Sequence, residues 1–182
     1  MNRRLRAVLL VGGFVAGASV IAVQSNRSVG ATTAAVPIFA PATVGFESVP
    51  AAPATRLWSG CVTAANVARR AAGAAPLQLD LRVAIASAGH SEYQAQTQKL
   101  SHTGSAGSNA GDRLRAAGYS WATWGENVAA GQANCESVLA GWLASAPHRA
   151  NILNPAFRHV GFGMAFGANG VPYWTMDLAA GG

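Results

Sequence analysis

The chain has 182 residues, with 13 lysines and arginines against 7 aspartates and glutamates and a formal net charge of +6 at pH 7. Four of the arginines lie in the first 27 residues; from Thr32 onward, nine basic residues stand against seven acidic ones and are spread along the sequence. Binding along a phosphate backbone requires clustered lysines and arginines. The charge pattern therefore excludes a nucleic-acid partner.

Residues 1–31 have the composition of an export signal. Arginines at positions 3, 4 and 6 precede an apolar run, residues 7–23, that carries no charge. This run has the length of a long secretory signal and is slightly short for a membrane-spanning helix. We expect a signal peptide over 1–31 and a secreted or cell-envelope location. An uncleaved anchor is the alternative, and only that arrangement would place the chain at a membrane.

Residues 32–56 form a linker rich in proline and alanine. Its four prolines, at positions 37, 41, 50 and 53, disfavour a helix. Such a segment is typical of an extended spacer between an export signal and a folded domain. The remaining residues, 57–182, have the size of one domain with its own hydrophobic core.

Within that domain, apolar residues at helical spacing predict helices over 59–72 and 81–99, the second with Asp80 as its N-cap. Shorter helices are predicted over 112–117 and 135–145. Residues 76–79 form a connector, and residues 101–111 form a Gly/Ser-rich loop around His102. Residues 146–155 connect the last helix to a strand and carry His148.

Two late segments, 160–166 and 171–178, alternate with a period of two around the turn at 167–170. This pattern predicts an antiparallel hairpin. Helices followed by a late hairpin, without a βαβ repeat, indicate an α+β layered domain.

The two cysteines, Cys61 and Cys135, both lie in the domain. An even number of cysteines in an exported chain favours one disulfide. Two alternatives stay open at this point: a buried pair of free thiols, and a nucleophilic Cys61 assisted by a later histidine and asparagine.

Seven short motifs in fixed order resemble the CAP superfamily (cysteine-rich secretory proteins, antigen 5 and pathogenesis-related 1), and most closely its compact bacterial members with an SCP domain. The resemblance implies a three-layer α-β-α sandwich with a small antiparallel sheet. The motifs are PLQLD at 76–80, LSH at 100–102, DRLRAAGY at 112–119, GENVAAG at 125–131, GWLASAPHRANIL at 141–153, VGFG at 160–163 and YWT at 173–175.

The resemblance also implies a central cleft of facing histidines and acids. By motif, His102, Glu126 and His148 match three of its members. Ser145 stands where eukaryotic members carry the second acid, so the cluster has two histidines and one glutamate unless Asp112 or Asp177 joins it.

Two imidazoles and a carboxylate are suitable ligands for zinc or another divalent cation. We therefore predict a weak metal site at His102, Glu126 and His148, for zinc or another divalent cation. Supporting roles are expected for Asn127 and Asn151 as hydrogen-bond clamps, and for Ser145 and Arg149 beside the cleft. His90 and His159 are expected to be structural or solvated.

Three functions compete. The first is a secreted module that binds an apolar ligand, a lipid or a cell-envelope component. The second is a metal-assisted hydrolase, although the sequence contains no Gly-x-Ser-x-Gly or His-Glu-x-x-His motif. The third is an adhesion or envelope-scaffold protein without a small ligand. The sequence favours the first, and it names no catalytic residue.

Overall fold

The computed structural model describes residues 24–25 and 54–181. The predicted signal peptide and linker lie almost wholly outside the described residues. The helices are α1 (Ala54–Ala71), α2 (Leu81–Thr97), α3 (Ala110–Ala116), α4 (Cys135–Ala144) and α5 (Ala146–Leu153), with a 3-10 turn at Ser105–Gly107. The strands are β1 (Gln24–Ser25), β2 (Gln78–Leu79), β3 (Trp121–Ala130), β4 (His159–Phe166) and β5 (Pro172–Gly181).

The strands form one sheet in the order β1-β3-β5-β4-β2. All neighbours are antiparallel except β2 and β4, which run parallel. The predicted hairpin is present as β4 and β5, with Phe162 opposite Met176. With helices on both faces of the sheet, the predicted α+β sandwich is confirmed.

One face of the sheet carries the larger apolar cluster. Alternate residues of β4 and β5, such as Phe162 and Met176, point to this face and are fully buried. They pack with apolar residues of α1, α4 and α5, among them Trp142 and Ile152. Alternation along each strand sends the intervening residues to the opposite face.

Helix α2 covers that opposite face at very short range. A Cβ atom added at Gly161 would overlap the backbone of Val83 and Ala84, and one added at Gly163 would overlap the backbone of Ser87. The two glycines of β4 therefore let the helix lie directly on the strand. Their neighbours on this face are polar and buried, which places hydrogen-bonding groups between α2 and the sheet.

The predicted disulfide is confirmed. Cys61 in α1 and Cys135 at the start of α4 are bonded, with their Cα atoms 5.3 Å apart and 74 residues between them in sequence. Both lie against the larger apolar cluster. Because Cys61 is oxidised, it cannot act as a nucleophile, and the cysteine-hydrolase alternative is excluded.

Several boundaries differ from the prediction. Helix α1 begins at Ala54, inside the predicted linker, and Gln78–Leu79 is a strand rather than a connector. Residues 146–153, predicted as a connecting segment, form helix α5, which has a proline in its first turn. Proline suits that position because the first N–H groups of a helix have no internal partner.

None of the helices in the described part of the chain combines the length and the apolar composition that crossing a bilayer requires.

Candidate functional site

Glu126 lies in the middle of β3, on the face that α2 covers, and only 3% of the residue is exposed. Its Oε1 atom is 2.7 Å from Nδ1 of His102, and its Oε2 atom is paired with the guanidinium of Arg113. An ionised carboxylate accepts hydrogen bonds and donates none. Both oxygens of Glu126 are therefore occupied by donors from outside its own strand.

These donors keep Glu126 ionised. Burial alone raises the pKa of the Glu126 carboxyl, but the hydrogen bond from His102 and the positive charge of Arg113 outweigh burial and hold the pKa below its usual value. A buried carboxylate is stable only when it is paired and hydrogen-bonded in this way.

The same hydrogen bond fixes the ring of His102. Since Glu126 accepts, Nδ1 of His102 carries the hydrogen, and Nε2 is left with its lone pair in the neutral ring. The His102 side chain is 25% exposed. The ring is thus held in one orientation, and Nε2 is the nitrogen that the bond to Glu126 leaves uncommitted.

Arg113, in α3, was assigned no role from the sequence, although its motif was recognised. Besides pairing with Glu126, its Nη1 atom donates to the backbone carbonyls of His102 at 3.3 Å and Ser108 at 2.9 Å. One guanidinium therefore joins the loop that carries His102 to the strand that carries Glu126. The sequence signal was the arginine inside the motif at 112–119.

His148 lies in the first turn of α5, on the other side of the sheet. The Asn127 amide donates to its backbone carbonyl at 3.1 Å. Asn151 in turn donates to Oδ1 of Asn127 at 2.9 Å and to the carbonyl of Glu126 at 3.1 Å. The two asparagines thus hold α5 against β3, the position expected of hydrogen-bond clamps.

The chain segments that carry His102 and His148 are held on opposite faces of β3. The side chain of Glu126, which holds His102, points towards α2, whereas that of Asn127, which holds His148, points towards α5. Burial and then the charge of His102 lower the pKa of the half-buried His148 imidazole. The two imidazoles are therefore close enough for the charge of His102 to affect the pKa of His148.

Of the two further acids considered from the sequence, Asp177 joins the cluster and Asp112 does not. Asp177 lies opposite Glu126 in the register of β3 and β5, is fully buried, and accepts a hydrogen bond from Ser87 at 2.8 Å. Burial and the neighbouring charge of Glu126 raise its pKa well above the usual value. Asp112 is exposed and instead forms a capping box with Asn109 at the start of α3.

The two remaining histidines differ in position. His90, in α2, is 1% exposed, and its Nε2 atom lies 2.7 Å from the carbonyl of Ser101 and 3.8 Å from Oε2 of Glu126. It therefore belongs to the surroundings of the cleft. His159 lies outside the cleft, with Nδ1 2.7 Å from the hydroxyl of Tyr119.

Ser145 and Arg149 lie beside the hydrogen-bonded cluster rather than in it. Ser145 forms the junction of α4 and α5, where its backbone N–H donates to the carbonyls of Gly141 and Trp142. Arg149 is exposed and donates to the carbonyl of Leu143 at 3.2 Å. Both residues therefore shape the helix pair that presents His148.

The donor set fits a metal ion only in part. Within residues 58–181, no group of three or more histidine, cysteine or acidic side chains is arranged to hold one ion. The oxygens of Glu126 are taken by His102 and Arg113, so this carboxylate does not suit the ligand role that we predicted for it. The imidazoles of His102 and His148 are nitrogen donors of the type that zinc binds.

Residues 62–178 match the sequence profile of CAP, the cysteine-rich secretory protein family. The uncharacterized protein YkwD of Bacillus subtilis (strain 168) is 35% identical over 98 residues, which are 54% of this chain and 38% of that protein. The chain thus spans well under half of the length of the curated relatives that it matches.

Solved structures share the fold. An extracellular protein of Bacillus anthracis that contains an SCP domain superposes with a TM-score of 0.58 at 27% identity, over 72% of this chain and 45% of that one. An outer surface protein of Borrelia burgdorferi superposes with a TM-score of 0.64 at 14% identity, over 70% of this chain and 94% of that one. Together with the profile match, this places the chain in the CAP family of cysteine-rich secretory proteins.

Proposed function

We propose that this CAP domain is an exported binding module whose cleft holds a divalent cation weakly through His102 and His148. The observation that carries the proposal is the 2.7 Å contact between Glu126 and Nδ1 of His102. A carboxylate that holds the inner nitrogen of an imidazole orients the outer nitrogen and makes it a better metal ligand.

Zinc suits this site better than magnesium, because the available ligands are neutral nitrogens and magnesium prefers oxygen. The affinity is expected to be weak for an electrostatic reason. The single negative charge of Glu126 is already balanced by Arg113, so a bound cation gains little from it. Water or a ligand from outside would complete the coordination.

Export is part of the proposal. The basic and apolar pattern of residues 1–31 supports it, as do the extracellular and outer-surface descriptions of the B. anthracis and B. burgdorferi proteins with this fold. The disulfide between Cys61 and Cys135 suits an oxidising compartment.

An apolar or envelope-derived ligand is the second component of the proposal. A shallow groove of about 250 Å³ lies between α2 and α3, and its walls are almost entirely apolar. Ile85 on its rim is 63% exposed, which is unusual for isoleucine. The groove is lined by Ile85, Ala86, Gly89, Arg113, Ala116 and Ala117.

Calorimetric titration with zinc tests the cation site. The parent should bind zinc, and His148→Ala should bind it at least about tenfold more weakly, since one of two protein ligands is lost. His159→Ala is the matched control, because that histidine lies outside the cleft and bonds to Tyr119. Equal affinity in the parent and in His148→Ala would refute the site.

Mass spectrometry of the exported protein under native conditions tests the ligand. A retained lipid or envelope fragment that is lost when Ile85 is replaced by aspartate would support the apolar groove. Recovery of the bare polypeptide alone, from cells that export the protein, would contradict this component.

Metal-assisted hydrolysis is a second candidate function. It is favoured by the Glu126–His102 pair, in which a carboxylate holds a histidine whose other nitrogen could accept a proton. Zinc-dependent ester or peptide hydrolysis that disappears in both His102→Ala and His148→Ala would establish it in place of simple binding.

A further inference from the structure

Two buried polar side chains of α2 lie directly below the loop that carries His102. His90 and Gln94 are one helical turn apart, and each is at most 1% exposed. Neither was assigned to the cleft from the sequence. Polar groups this deeply buried are normally held by hydrogen bonds, and those of His90 and Gln94 converge on Ser101.

The backbone of Ser101 is held from both sides. Nε2 of His90 donates to its carbonyl oxygen at 2.7 Å, and its N–H donates to Oε1 of Gln94 at 3.2 Å. Since a carbonyl oxygen only accepts, Nε2 of His90 carries the hydrogen. The amide of Gln94 is oriented in turn, because its Nε2 atom donates to the hydroxyl of Thr175 at 3.1 Å.

Ser101 is the point at which the chain returns to the domain after α2. The helix ends in a left-handed residue, Gln98, and residues 96–100 are all exposed. Ser101 and His102 are the first half-buried residues that follow. The two hydrogen bonds to Ser101 therefore fix the backbone position from which the next residue, His102, extends.

We propose that His90 is a positioning residue of the cleft, which anchors Ser101 so that Nδ1 of His102 stays on Glu126. His90 does not replace His102 in this contact. Its Nε2 atom is 3.8 Å from Oε2 of Glu126, beyond hydrogen-bond range, whereas it is 2.7 Å from the carbonyl of Ser101. Its action on the cleft is therefore through the backbone.

The other ring nitrogen of His90, Nδ1, is buried at a cost in stability. Nδ1 is buried without a hydrogen-bond partner among the described residues. A Cβ atom added at Gly104, two residues beyond His102, would lie 3.4 Å from it. An apolar side chain would avoid leaving a buried acceptor unpaired, so the histidine is best explained by the bond that its Nε2 makes.

The test has two measurements on the full domain. The first is the NMR signal of the His102 Nδ1 hydrogen, which a bond to a carboxylate shifts downfield and protects from exchange. The second is zinc affinity by calorimetry, which rests on the proposed function. In His90→Leu we expect the protected signal to be lost and the zinc Kd to rise about tenfold or more.

Two variants separate positioning from general loss of stability. His90→Gln keeps an N–H that can reach Ser101 and should retain the signal and the affinity. Asn66→Ala removes two hydrogen bonds to the backbone of Leu77, at 2.9 and 2.7 Å, without touching the loop or its partners, and should leave both measurements unchanged. A His90→Leu protein that behaves like the parent would overturn the proposal.

Three further results would also test the role of His90. If His90→Leu does not fold, Gln94→Met removes the other bond to Ser101 and should weaken the same NMR signal; an unchanged signal would count against the proposal. The ¹⁵N shifts of His90 in the parent must report hydrogen on Nε2, and hydrogen on Nδ1 alone would refute it. If the parent binds no zinc, the proposed function fails, while the His102 signal still decides on His90.

Discussion

Glu126 and Asp177 lie opposite each other on the adjacent strands β3 and β5, and both side chains point to the face covered by α2. Glu126 is paired with Arg113 and His102. Asp177 accepts a hydrogen bond from the hydroxyl of Ser87, and its other oxygen, Oδ1, has no hydrogen-bond partner among the described residues. Two carboxylates this close cannot both stay ionised in a buried site. The arrangement makes Glu126 the charged member and Asp177 the neutral one.

The first prediction concerns Asp177. Because burial and the charge of Glu126 raise its pKa, the folded protein keeps a proton there at pH values at which the unfolded chain has already lost it. The native state thus binds more protons, so this group lowers stability as pH rises above about 4. Asp177→Asn keeps the shape without the charge and should stay within about 1 kcal/mol of the parent at pH 7.

Asp177→Ala is the contrasting variant. It removes a buried hydrogen bond and leaves a cavity in place of the carboxyl, which should cost about 1–3 kcal/mol, although the hydroxyl of Ser87 can still donate to the carbonyl of Val83 at 3.0 Å. Urea unfolding at pH 5 and pH 7 measures both variants. A strongly destabilised Asp177→Asn protein at pH 7 would show that Asp177 is ionised after all.

The second prediction concerns Arg113. Replacing it by methionine removes one partner of a buried ion pair and leaves Glu126 with His102 alone, which should lower the free energy of unfolding by about 3–5 kcal/mol. Arg82→Met is the matched control, since the side chain of Arg82 is 52% exposed where it pairs with Asp80, and its loss should destabilise the protein much less. Equal losses in the two variants, by chemical denaturation, would contradict the role of Arg113.

The sequence predicted the elements whose periodicity is strong. The 3.6-residue pattern located α2, and the two-residue alternation located β4 and β5. Helix α5 was missed because its apolar face is short, although Pro147 in the first turn after Ser145 is a recognised start signal. Tertiary packing of Ile152 into the core, which no local pattern reveals, completes that helix.

The site was harder to predict from local pattern, because its bonds connect distant segments. Motifs identified His102, Glu126 and His148, but they gave Glu126 the role of a ligand rather than of a support for His102. The partners Arg113 and His90 depend on how three elements face each other. A local signal did exist: the polar residues Ser87, Ser91 and Gln94 recur on one side of α2, opposite the small residues of β4.

The third prediction is a loss of stability in weak acid. Burial lowers the pKa of His90, so its imidazole stays neutral in the folded protein while the unfolded chain takes up a proton below about pH 6.5. The unfolded state then binds more protons, so the contribution of His90 to stability falls as pH decreases from about 6.5. His90→Gln should flatten this slope between about pH 6.5 and 5, whereas Ser91→Ala, which changes no titrating group, should keep it.

Urea unfolding at half-unit pH steps gives the slope directly. His148, whose pKa is also lowered by burial and by His102, contributes in the same direction, so some slope should persist in His90→Gln. Asp177 contributes in the opposite direction over this range, so the difference between the parent and His90→Gln is the decisive quantity. Equal slopes in the two proteins would contradict the neutral, buried state of His90.

The fourth prediction concerns the disulfide. The bond closes a loop of 74 residues between α1 and α4, and constraining a loop of that length in the unfolded chain stabilises the fold by about 4 kcal/mol in the entropic model. Cys135→Ser should therefore lower the free energy of unfolding by about 2–5 kcal/mol. The denatured, unreduced parent should show no free thiol.

Reduction of the parent provides the matched control. Reduced parent and Cys135→Ser should unfold at similar denaturant concentrations, because both lack the same cross-link and differ only in one atom of a half-buried side chain. The zinc affinity should survive in both proteins as long as the domain is folded. The disulfide joins α1 to α4, whereas α5, which carries His148, is held to β3 by Asn127 and Asn151. Loss of zinc binding in a folded, reduced protein would mean that the bond to α4 sets the position of His148.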